Sequence, residues 1–145
     1  MLRGIPSVLS PELLKTLAEM GHGDKIVLGD AYFASATMAK NGRLIRADGI
    51  SSTELMDAIL KFMPLDTWVD TCAFALGEEK DGAFYPVDIT RDYEELIKKY
   101  DPEAEGKLQL MDRFAFYDIA KTAFAVVATG ETRPYGDIIL QKGVF

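Results

Sequence analysis

The sequence predicts an α/β fold: a single layered domain, residues 1–145, with a mixed sheet flanked by helices. Short apolar runs rich in β-branched residues alternate along the whole chain with segments that carry apolar side chains at helical spacing. The length of 145 residues suits one domain, and 48% apolar with 27% charged residues is a globular composition. We therefore expect one folded unit without a linker or an internal repeat.

Residues 10–22 are predicted to form the first helix and the turn that ends it. Ser10 is a favourable N-cap, and the apolar positions after it recur at helical spacing. Gly21 and Gly23 permit a left-handed turn and make continuation of the helix costly. His22, between the two glycines, is therefore expected on a loop rather than on the apolar face.

The remaining elements follow from the same signals. Apolar runs bounded by turn residues predict strands at residues 25–30, 44–47, 73–76, 107–111, 124–128 and 138–140. Capping residues before apolar periodicity predict helices at residues 51–63, from Asp88 or Thr90 to Tyr100, and at 113–122 after Asp112. Two segments are expected to lack both structures: residues 31–42 as irregular chain and residues 77–82 as an exposed turn.

The charge balance disfavours two classes of partner. Lys and Arg number 16 against 23 Asp and Glu, which gives a net charge of −7. A surface of this sign repels phosphate backbones and anionic lipid, so neither nucleic acid nor a membrane is expected as a partner. No apolar run approaches the roughly 18–20 residues of a membrane helix, and residues 1–12 do not resemble a signal peptide. We expect a cytoplasmic location.

The chain contains one cysteine, Cys72, and one histidine, His22. No disulfide within the chain, no cysteine-based zinc site and no two-histidine metal site is therefore expected. Cys72 lies in an apolar stretch and is expected to be a core residue. The sequence also lacks the glycine-rich patterns of dinucleotide and phosphate-binding loops and the nucleophile motif of hydrolases. No metal and no other cofactor is predicted; the residues alone leave open only an ion site made of oxygen ligands.

Loops at strand ends are the favoured places for chemistry, and each candidate there has two interpretations. Histidine is the side-chain type whose ordinary pKa lies nearest neutrality, and His22 is either a general acid/base or a solvated loop residue beside Asp24. Asp30 ends an apolar strand and is either a ligand-binding carboxylate or a cap of a turn. The segment 135–137 (Tyr-Gly-Asp) is either a hairpin turn or a binding loop with hydroxyl and backbone donors.

Arg113 opposes the dipole at the start of a predicted helix. It is held either by an anionic or hydroxyl-rich ligand or by a surface ion pair with Asp112 or a neighbouring residue. The aromatic residues near it, Phe114 and Phe116, are expected in the core rather than as a stacking surface.

Taken together, several separated motifs resemble the small bacterial D-ribose pyranase and L-fucose mutarotase family, and its fucose branch more closely. The matching stretches are Leu9–Leu14, Leu17–Asp24, Asp30, Ile45–Gly49, Arg113–Tyr117, Ala123–Val127, Thr129–Glu131, Tyr135–Gly136 and Lys142–Val144. The resemblance implies a cofactor-free, cytoplasmic enzyme that assembles as a ring, often a decamer, with sites near subunit boundaries.

The resemblance also implies roles for single residues. His22 takes the position of the proton donor, Asp30 and Arg113 take substrate-binding positions, and Tyr135, Gly136 and Asp137 match the sugar-contacting loop. Arg113, where the ribose branch is expected to have His, favours a fucose-type hexose. The sequence departs from the family at three positions, with Tyr32 for His, Ala34 for Pro and Asp137 for Asn.

The predicted function is that of a sugar mutarotase, an isomerase that interconverts α and β anomers of a monosaccharide such as L-fucose. His22 acts as general acid/base, Asp30 orients it or binds sugar, Arg113 binds oxygens, and Tyr117 contacts hydroxyls or relays protons. The alternative is a non-catalytic sugar-binding or scaffold oligomer in which His22 is passive. An isomerase of sugar phosphates is disfavoured, because the chain is acidic and lacks a phosphate-binding loop.

Overall fold

The computed structural model describes residues 1–145 and contains five helices and eight strands. The helices are α1 (Pro11–Glu19), α2 (Ser35–Met38), α3 (Ser52–Leu60), α4 (Asp88–Tyr100) and α5 (Arg113–Ala120). The strands are β1 (Lys25–Gly29), β2 (Arg43–Ala47), β3 (Ala73–Leu76), β4 (Glu78–Lys80), β5 (Ala83–Tyr85), β6 (Leu108–Met111), β7 (Ala125–Thr129) and β8 (Ile138–Gln141). Short 3-10 turns cover Ala39–Asn41 and Pro102–Ala104.

Six strands form one mixed sheet in the order β2-β7-β1-β8-β3-β6. Only β8 is antiparallel to its neighbours, β1 and β3, so the other five strands run in one direction. We call the side where these five strands end and β8 begins the carboxyl edge. The opposite side, where they begin and β8 ends, is the amino edge. Polar residues just after the parallel strands therefore collect at the carboxyl edge.

Helices cover both faces of the sheet, as the sequence predicts. Ile26 and Leu28 of β1 point into a cluster of 26 buried residues shared with α1, α3 and α4. Val27, the strand residue between them, points to the other face, where a smaller cluster of 9 buried residues includes α2 and α5. The alternation of side chains along β1 thus divides the apolar residues between two layers. None of the helices has the length and apolar character needed to cross a bilayer.

Local capping fixes where most helices begin. Ser10, Ser51 and Asp112 each accept a hydrogen bond from a backbone N–H in the first turn of α1, α3 and α5, at 3.1, 3.3 and 2.7 Å. These three caps are confirmed. In α4 the residue before the helix is Val87, whose backbone N–H donates to the Thr90 hydroxyl at 3.1 Å. Thr90 therefore stabilises this helix start without being its first residue.

Two segments differ from the sequence prediction. Residues 31–42 are not irregular throughout, because α2 and a 3-10 turn lie within them. A four-residue helix is too short to show a helical period in sequence. Residues 77–82 do contain an exposed turn, but it joins β4 and β5 as a hairpin. Asp81 and Gly82 both have positive φ, 53° and 79°, as a two-residue hairpin loop requires.

Candidate active site

The predicted site residues lie at two opposite edges of the sheet. Asp30, Arg113, Tyr117 and residues 135–137 are at the carboxyl edge, while His22 is at the amino edge. Strand β1 separates the two groups, and its five residues, at about 3.3 Å each, span roughly 17 Å. A single chain therefore brings six of the seven predicted residues to one region and leaves His22 apart from them.

Two carboxyl groups meet at the carboxyl edge. The backbone N–H of Asp30 donates to Asp137 Oδ1 at 2.7 Å, while Asp30 Oδ1 accepts from the Tyr32 N–H at 2.9 Å. Asp137 is only 5% exposed, and burial, reinforced by the charge of Asp30, raises its pKa to about 7. Burial also raises the pKa of Asp30. Asp30 therefore caps a turn and also lies beside a second carboxyl that is half-protonated near neutral pH.

The segment 135–137 is not a hairpin turn. Strands β7 and β8 both pair with β1 and not with each other, so the chain between them crosses over the end of β1. Tyr135 has a φ of 60°, a left-handed conformation that costs a bulky residue energy. At Gly136 a Cβ atom would lie 2.9 Å from the Cγ of Glu131 and 3.2 Å from the Cβ of Asp30, so only glycine fits.

A buried polar network holds this loop. Tyr93 of α4 donates from its hydroxyl to the Gly136 carbonyl at 2.6 Å, and burial raises its pKa, so the hydroxyl stays a donor. Ser52 donates to Glu131 Oε1 at 3.0 Å, and Arg133 bonds the same carboxylate oxygen at 3.2 Å. Burial alone would raise the pKa of Glu131, but the Arg133 and Ser52 bonds outweigh it and lower that pKa.

Sequence reasoning missed Ser52, Tyr93 and Arg133 as supports of the loop. Ser52 stands in a capping sequence and Tyr93 on the apolar side of a predicted helix, so both have an ordinary structural explanation. The only available signal was Glu131, an acidic residue at the end of a strongly apolar strand.

Arg113 and Tyr117 adjoin the Asp30 turn through aromatic contacts. The Arg113 guanidinium lies 5.0 Å from the Phe114 ring centre and 5.9 Å from that of Tyr117. Phe33, three residues after Asp30, packs edge-on against the Tyr117 ring at 5.5 Å. The predicted alternative, an ion pair between Arg113 and Asp112, is absent, because the Asp112 carboxylate caps α5. The guanidinium keeps its donors free for a ligand. Phe116 is buried as expected, but Phe114 is 68% exposed, contrary to its predicted core position.

A cavity of about 290 Å³ opens beside Asp30, between the ends of β1, β2 and β7. Its polar lining includes Asp30, Ser35, Thr37, Thr129 and the ion pair of Arg46 with Asp48. The Ser35 hydroxyl is buried and has no hydrogen-bond partner within the chain. Carboxylates, hydroxyls and a guanidinium around a small cavity suit a ligand rich in hydroxyl groups.

At the amino edge, His22 has a carboxylate partner that the sequence did not indicate. Its Nε2 atom lies 3.1 Å from Oδ2 of Asp66, a residue only 2% exposed. Asp24, the expected neighbour, instead accepts a bond from the Gly21 N–H at 2.7 Å. Asp30 does not orient His22, because the two lie at opposite edges of the sheet. That half of the prediction is wrong for a single chain.

The Asp66 carboxylate is well supplied with donors. Its Oδ1 accepts from the Trp68 N–H at 3.1 Å, and its Oδ2 accepts from Gln141 Nε2 at 2.9 Å. Burial would raise the pKa of Asp66, but the bonds from Gln141, Trp68 and His22 outweigh burial and lower that pKa. No local signal marks Asp66 in the sequence, since it lies 44 residues from His22.

Cys72 is fully buried, as predicted, and burial raises the pKa of its thiol to about 11. A thiol with this pKa is a poor nucleophile at neutral pH. No three His, Cys, Asp or Glu side chains come together in a geometry that would hold a metal ion.

The fold and the two edges define a class: small α/β proteins whose polar groups lie at strand ends around a hydroxyl-lined cavity, without a nucleotide-binding loop. The chain belongs to the RbsD / FucU transport protein family, whose model matches residues 3–145. The resemblance drawn from the sequence motifs is thereby confirmed.

Named relatives match over nearly their full length. A fucose mutarotase of Danio rerio is 49% identical over 148 residues, which cover 99% of this chain and 94% of that protein. The crystal structure of FucU from Bifidobacterium longum has a TM-score of 0.90 and 43% identity, with 99% of each chain covered. A fucose mutarotase from Streptococcus pneumoniae, solved in complex with L-fucose, has a TM-score of 0.86 and 44% identity over 99% of each chain.

Proposed function

We propose that the chain is a cofactor-independent sugar mutarotase, an isomerase that interconverts the α and β anomers of L-fucose. The observation that carries the proposal is its full-length similarity to a fucose mutarotase solved with L-fucose, at 44% identity and a TM-score of 0.86. The carboxyl edge supports it, because a small cavity there is lined by Asp30 and the unpartnered Ser35 hydroxyl, and Asp137 and the free Arg113 guanidinium lie at the same edge.

Mutarotation requires that the hemiacetal open and close again. The anomeric hydroxyl gives up its proton, the bond between C1 and the ring oxygen breaks, and that oxygen takes up a proton. Rotation about C1–C2 and reclosure then give the other anomer with no net gain or loss of atoms. If the uncatalysed step takes on the order of an hour, its barrier is about 22–23 kcal/mol. A positioned acid or base supplies about 10²–10⁴-fold of rate.

The roles divide between the two edges. His22 takes and returns the proton, because imidazole changes its charge near neutral pH. The carboxyl-edge residues bind and orient the sugar: Asp30, Arg113, Tyr135, Gly136 and Asp137, with Tyr117 as a hydroxyl contact or proton relay.

The separation of the edges implies that a complete site uses two copies of the chain. One sugar ring cannot span the roughly 17 Å of β1, so the amino edge of one copy must face the carboxyl edge of another. Aromatic rings stand exposed at both edges, with Trp68 75% exposed near His22, and Tyr32 81% and Phe114 68% exposed near Asp30. Their exposure supports a homo-oligomer, and we propose a closed ring such as a decamer.

Mixing two impaired variants, assayed at a sugar concentration well below KM, tests the shared site. His22→Asn and Arg113→Met are each unfolded, combined in equal amounts and refolded together. If His22 and Arg113 of one site come from different copies, random assembly restores about a quarter of the sites. If both come from one chain, the mixture is no more active than the two variants refolded separately. Native mass of the mixture verifies that the oligomer formed.

The second candidate is a sugar-binding or scaffold oligomer without catalysis, favoured by the isolation of His22 from the carboxyl edge. A panel of monosaccharides, measured by NMR saturation transfer between anomers, separates the two. Faster α/β exchange with L-fucose supports the enzyme. Sugar-dependent thermal stabilisation without faster exchange would establish the binding protein instead.

We further propose that residues 1–145 act as one domain and that the protein works in the cytoplasm. One sheet carrying helices on both faces supports the first proposal. The single buried, unpaired Cys72 is compatible with a reducing compartment. Fractionation of cells that express the tagged protein tests the location, and one cooperative unfolding transition tests the single domain.

A further inference from the structure

We infer that Asp66 is a positioning residue for His22, and that Nδ1 of His22, not Nε2, is the atom that exchanges protons with the sugar. The second half of the inference rests on the proposed mutarotase function. The first half concerns the geometry of the imidazole and is measurable without any substrate.

The hydrogen bond to Asp66 fixes the tautomer of His22. A carboxylate only accepts, so the ring nitrogen 3.1 Å from Asp66 Oδ2 must carry the hydrogen, and that nitrogen is Nε2. In the neutral ring the other nitrogen, Nδ1, then has the free lone pair. Nδ1 has no hydrogen-bond partner within the chain, and 40% of the His22 side chain is exposed. The basic atom is therefore the one available to a ligand from outside the chain.

Hydrogen bonds from its neighbours keep the Asp66 carboxylate ionised and fixed in orientation. Trp68 and Gln141 bond its two oxygens independently of His22, so the carboxylate keeps its orientation when the imidazole changes charge. A buried carboxylate held by several donors stabilises the imidazolium form of its histidine partner. Proton transfer from the anomeric hydroxyl to Nδ1 creates that form, and transfer to the ring oxygen removes it. His22 therefore returns to its starting protonation state at the end of each cycle, while Asp66 stays ionised.

The C-terminal segment brings the two residues together. The Lys142 carbonyl accepts from the Gly23 N–H at 2.8 Å, beside His22, and the Gln141 carbonyl accepts from the Asp66 N–H at 3.0 Å. Gly143 permits this close approach, since a Cβ atom there would lie 2.6 Å from the Asp66 Cα. The motif at residues 142–144 thus positions the histidine loop on the carboxylate.

The other charged groups of this region have different partners. Asp24 accepts from the Gly21 N–H, Lys142 donates to two carbonyls at the end of α1, and Lys107 donates to the carbonyls of Thr67 and Val69. Asp66 is the only carboxylate bonded to the imidazole. The Trp68 ring lies edge-on to it with centres 5.3 Å apart, which restricts rotation of the imidazole.

The test uses the fact that the chain has a single histidine. In ¹⁵N-labelled wild-type protein, long-range ¹H–¹⁵N correlation shows directly which imidazole nitrogen carries the hydrogen. We expect the Nε2–H tautomer to dominate above the pKa of the ring. A dominant Nδ1–H tautomer would overturn the inference, and this measurement needs neither a variant nor a sugar.

Asp66→Asn tests the catalytic consequence. We expect kcat for anomer exchange to fall about 10–100-fold with little change in KM, as for other partners that orient a functional histidine. Loss of the acceptor-only carboxylate also removes the preference for Nε2–H, so the fraction of the Nδ1–H tautomer should rise in the long-range ¹H–¹⁵N correlation of the variant. Asp70→Asn, an exposed carboxylate four residues further along, is the matched control and should leave both quantities unchanged.

The outcomes separate the inference from the proposed function. If Asp66→Asn folds but retains the wild-type kcat and the wild-type tautomer of His22, Asp66 does not act through His22. If His22→Asn retains anomer exchange while the wild-type ring shows Nε2–H, the Asp66 geometry stands and Nδ1 is not the proton carrier. Should Asp66→Asn fail to fold, the wild-type tautomer still decides the positioning role.

Discussion

Asp66 at the amino edge and Asp137 at the carboxyl edge are both almost fully buried, yet their pKa values move in opposite directions. Asp66 has three donors, from His22, Gln141 and the Trp68 backbone, and its pKa is lowered. Asp137 has one donor, the Asp30 N–H, and faces the charge of Asp30, so its pKa rises to about 7. Burial alone does not set the charge of a carboxyl group. The balance between burial, donated hydrogen bonds and neighbouring charges does.

The two edges therefore suit different chemistry. The amino edge pairs a permanent anion with the only imidazole of the chain, an arrangement for moving protons. The carboxyl edge holds Asp137, whose pKa of about 7 lets it change protonation near neutral pH, and it also carries the Arg113 guanidinium. Such an edge alternates between donating and accepting hydrogen bonds, which suits recognition of hydroxyl groups.

The largest expected effect comes from removing the imidazole at the amino edge. His22→Asn should reduce anomer exchange of L-fucose by about 10²–10⁴-fold, the contribution of a positioned acid/base. Sugar binding should persist, because the carboxyl edge is untouched. NMR saturation transfer measures the exchange rate and calorimetry the affinity. If His22→Asn instead loses sugar affinity but exchanges bound sugar at the wild-type rate, then the amino edge binds the sugar and the proton transfer belongs to the carboxyl edge.

Removing the guanidinium at the carboxyl edge should have the complementary effect. Arg113→Met should weaken sugar affinity by about 10–100-fold, the range of a hydrogen bond to a charged group. The unfolding free energy should change little, since Arg113 makes no ion pair in the chain. Arg91→Met, which removes an exposed arginine paired with Asp88, is the control. Equal affinity of the two variants would exclude Arg113 from the sugar site.

The raised pKa of Asp137 predicts a pH dependence of stability. Its folded pKa of about 7 lies above the ordinary value of 3.8, so the folded state binds the proton more tightly. The stabilisation is complete below pH 3.8 and is lost as the pH rises to 7. Asp137→Asn should therefore be more stable than wild type at pH 8 by the order of 1–3 kcal/mol and should show a flatter profile from pH 5 to 8. Urea unfolding across this pH range measures the unfolding free energy of both proteins. If the two free energies depend on pH in the same way, Asp137 is not the group that titrates.

The smallest effect is expected from the support of the binding loop. Tyr93→Phe leaves the buried Gly136 carbonyl without its donor, at a cost of about 1–3 kcal/mol in unfolding free energy. The sugar KM should rise because residues 135–137 lose a fixed position, whereas kcat should change little. Tyr85→Phe, an exposed tyrosine on the β4–β5 hairpin, serves as the control. An unchanged KM would show that Tyr93 supports the fold alone.

Much of the fold was predictable because its signals are local. The caps Ser10, Ser51 and Asp112 act within one helical turn, and the buried strands have continuous apolar sequences. Strand ends likewise marked Asp30 and residues 135–137. At the β4–β5 hairpin the sequence predicts only a turn, since Glu78, Glu79 and Lys80 have no apolar alternation.

The partner of His22 was not predictable in the same way. Asp66 follows Pro64 in an undistinguished loop, and its bond to His22 forms only when the chain end returns along β1. The partner of Tyr93 was equally unpredictable, because its hydroxyl bonds the carbonyl of Gly136, 43 residues away in the sequence. Contacts of this kind depend on the completed sheet, and no spacing in one sequence encodes them.

Strand β8 begins next to Asp137 and ends at Gln141, whose amide bonds Asp66, so four residues connect the binding chemistry to the proton-transfer chemistry. Inserting or deleting a single residue there would turn Ile138–Leu140 onto the wrong sheet faces and displace both carboxyl environments together. The length of β8 thus fixes the positions of the His22–Asp66 pair and of the binding loop relative to each other. A register shift in β8 would disrupt both.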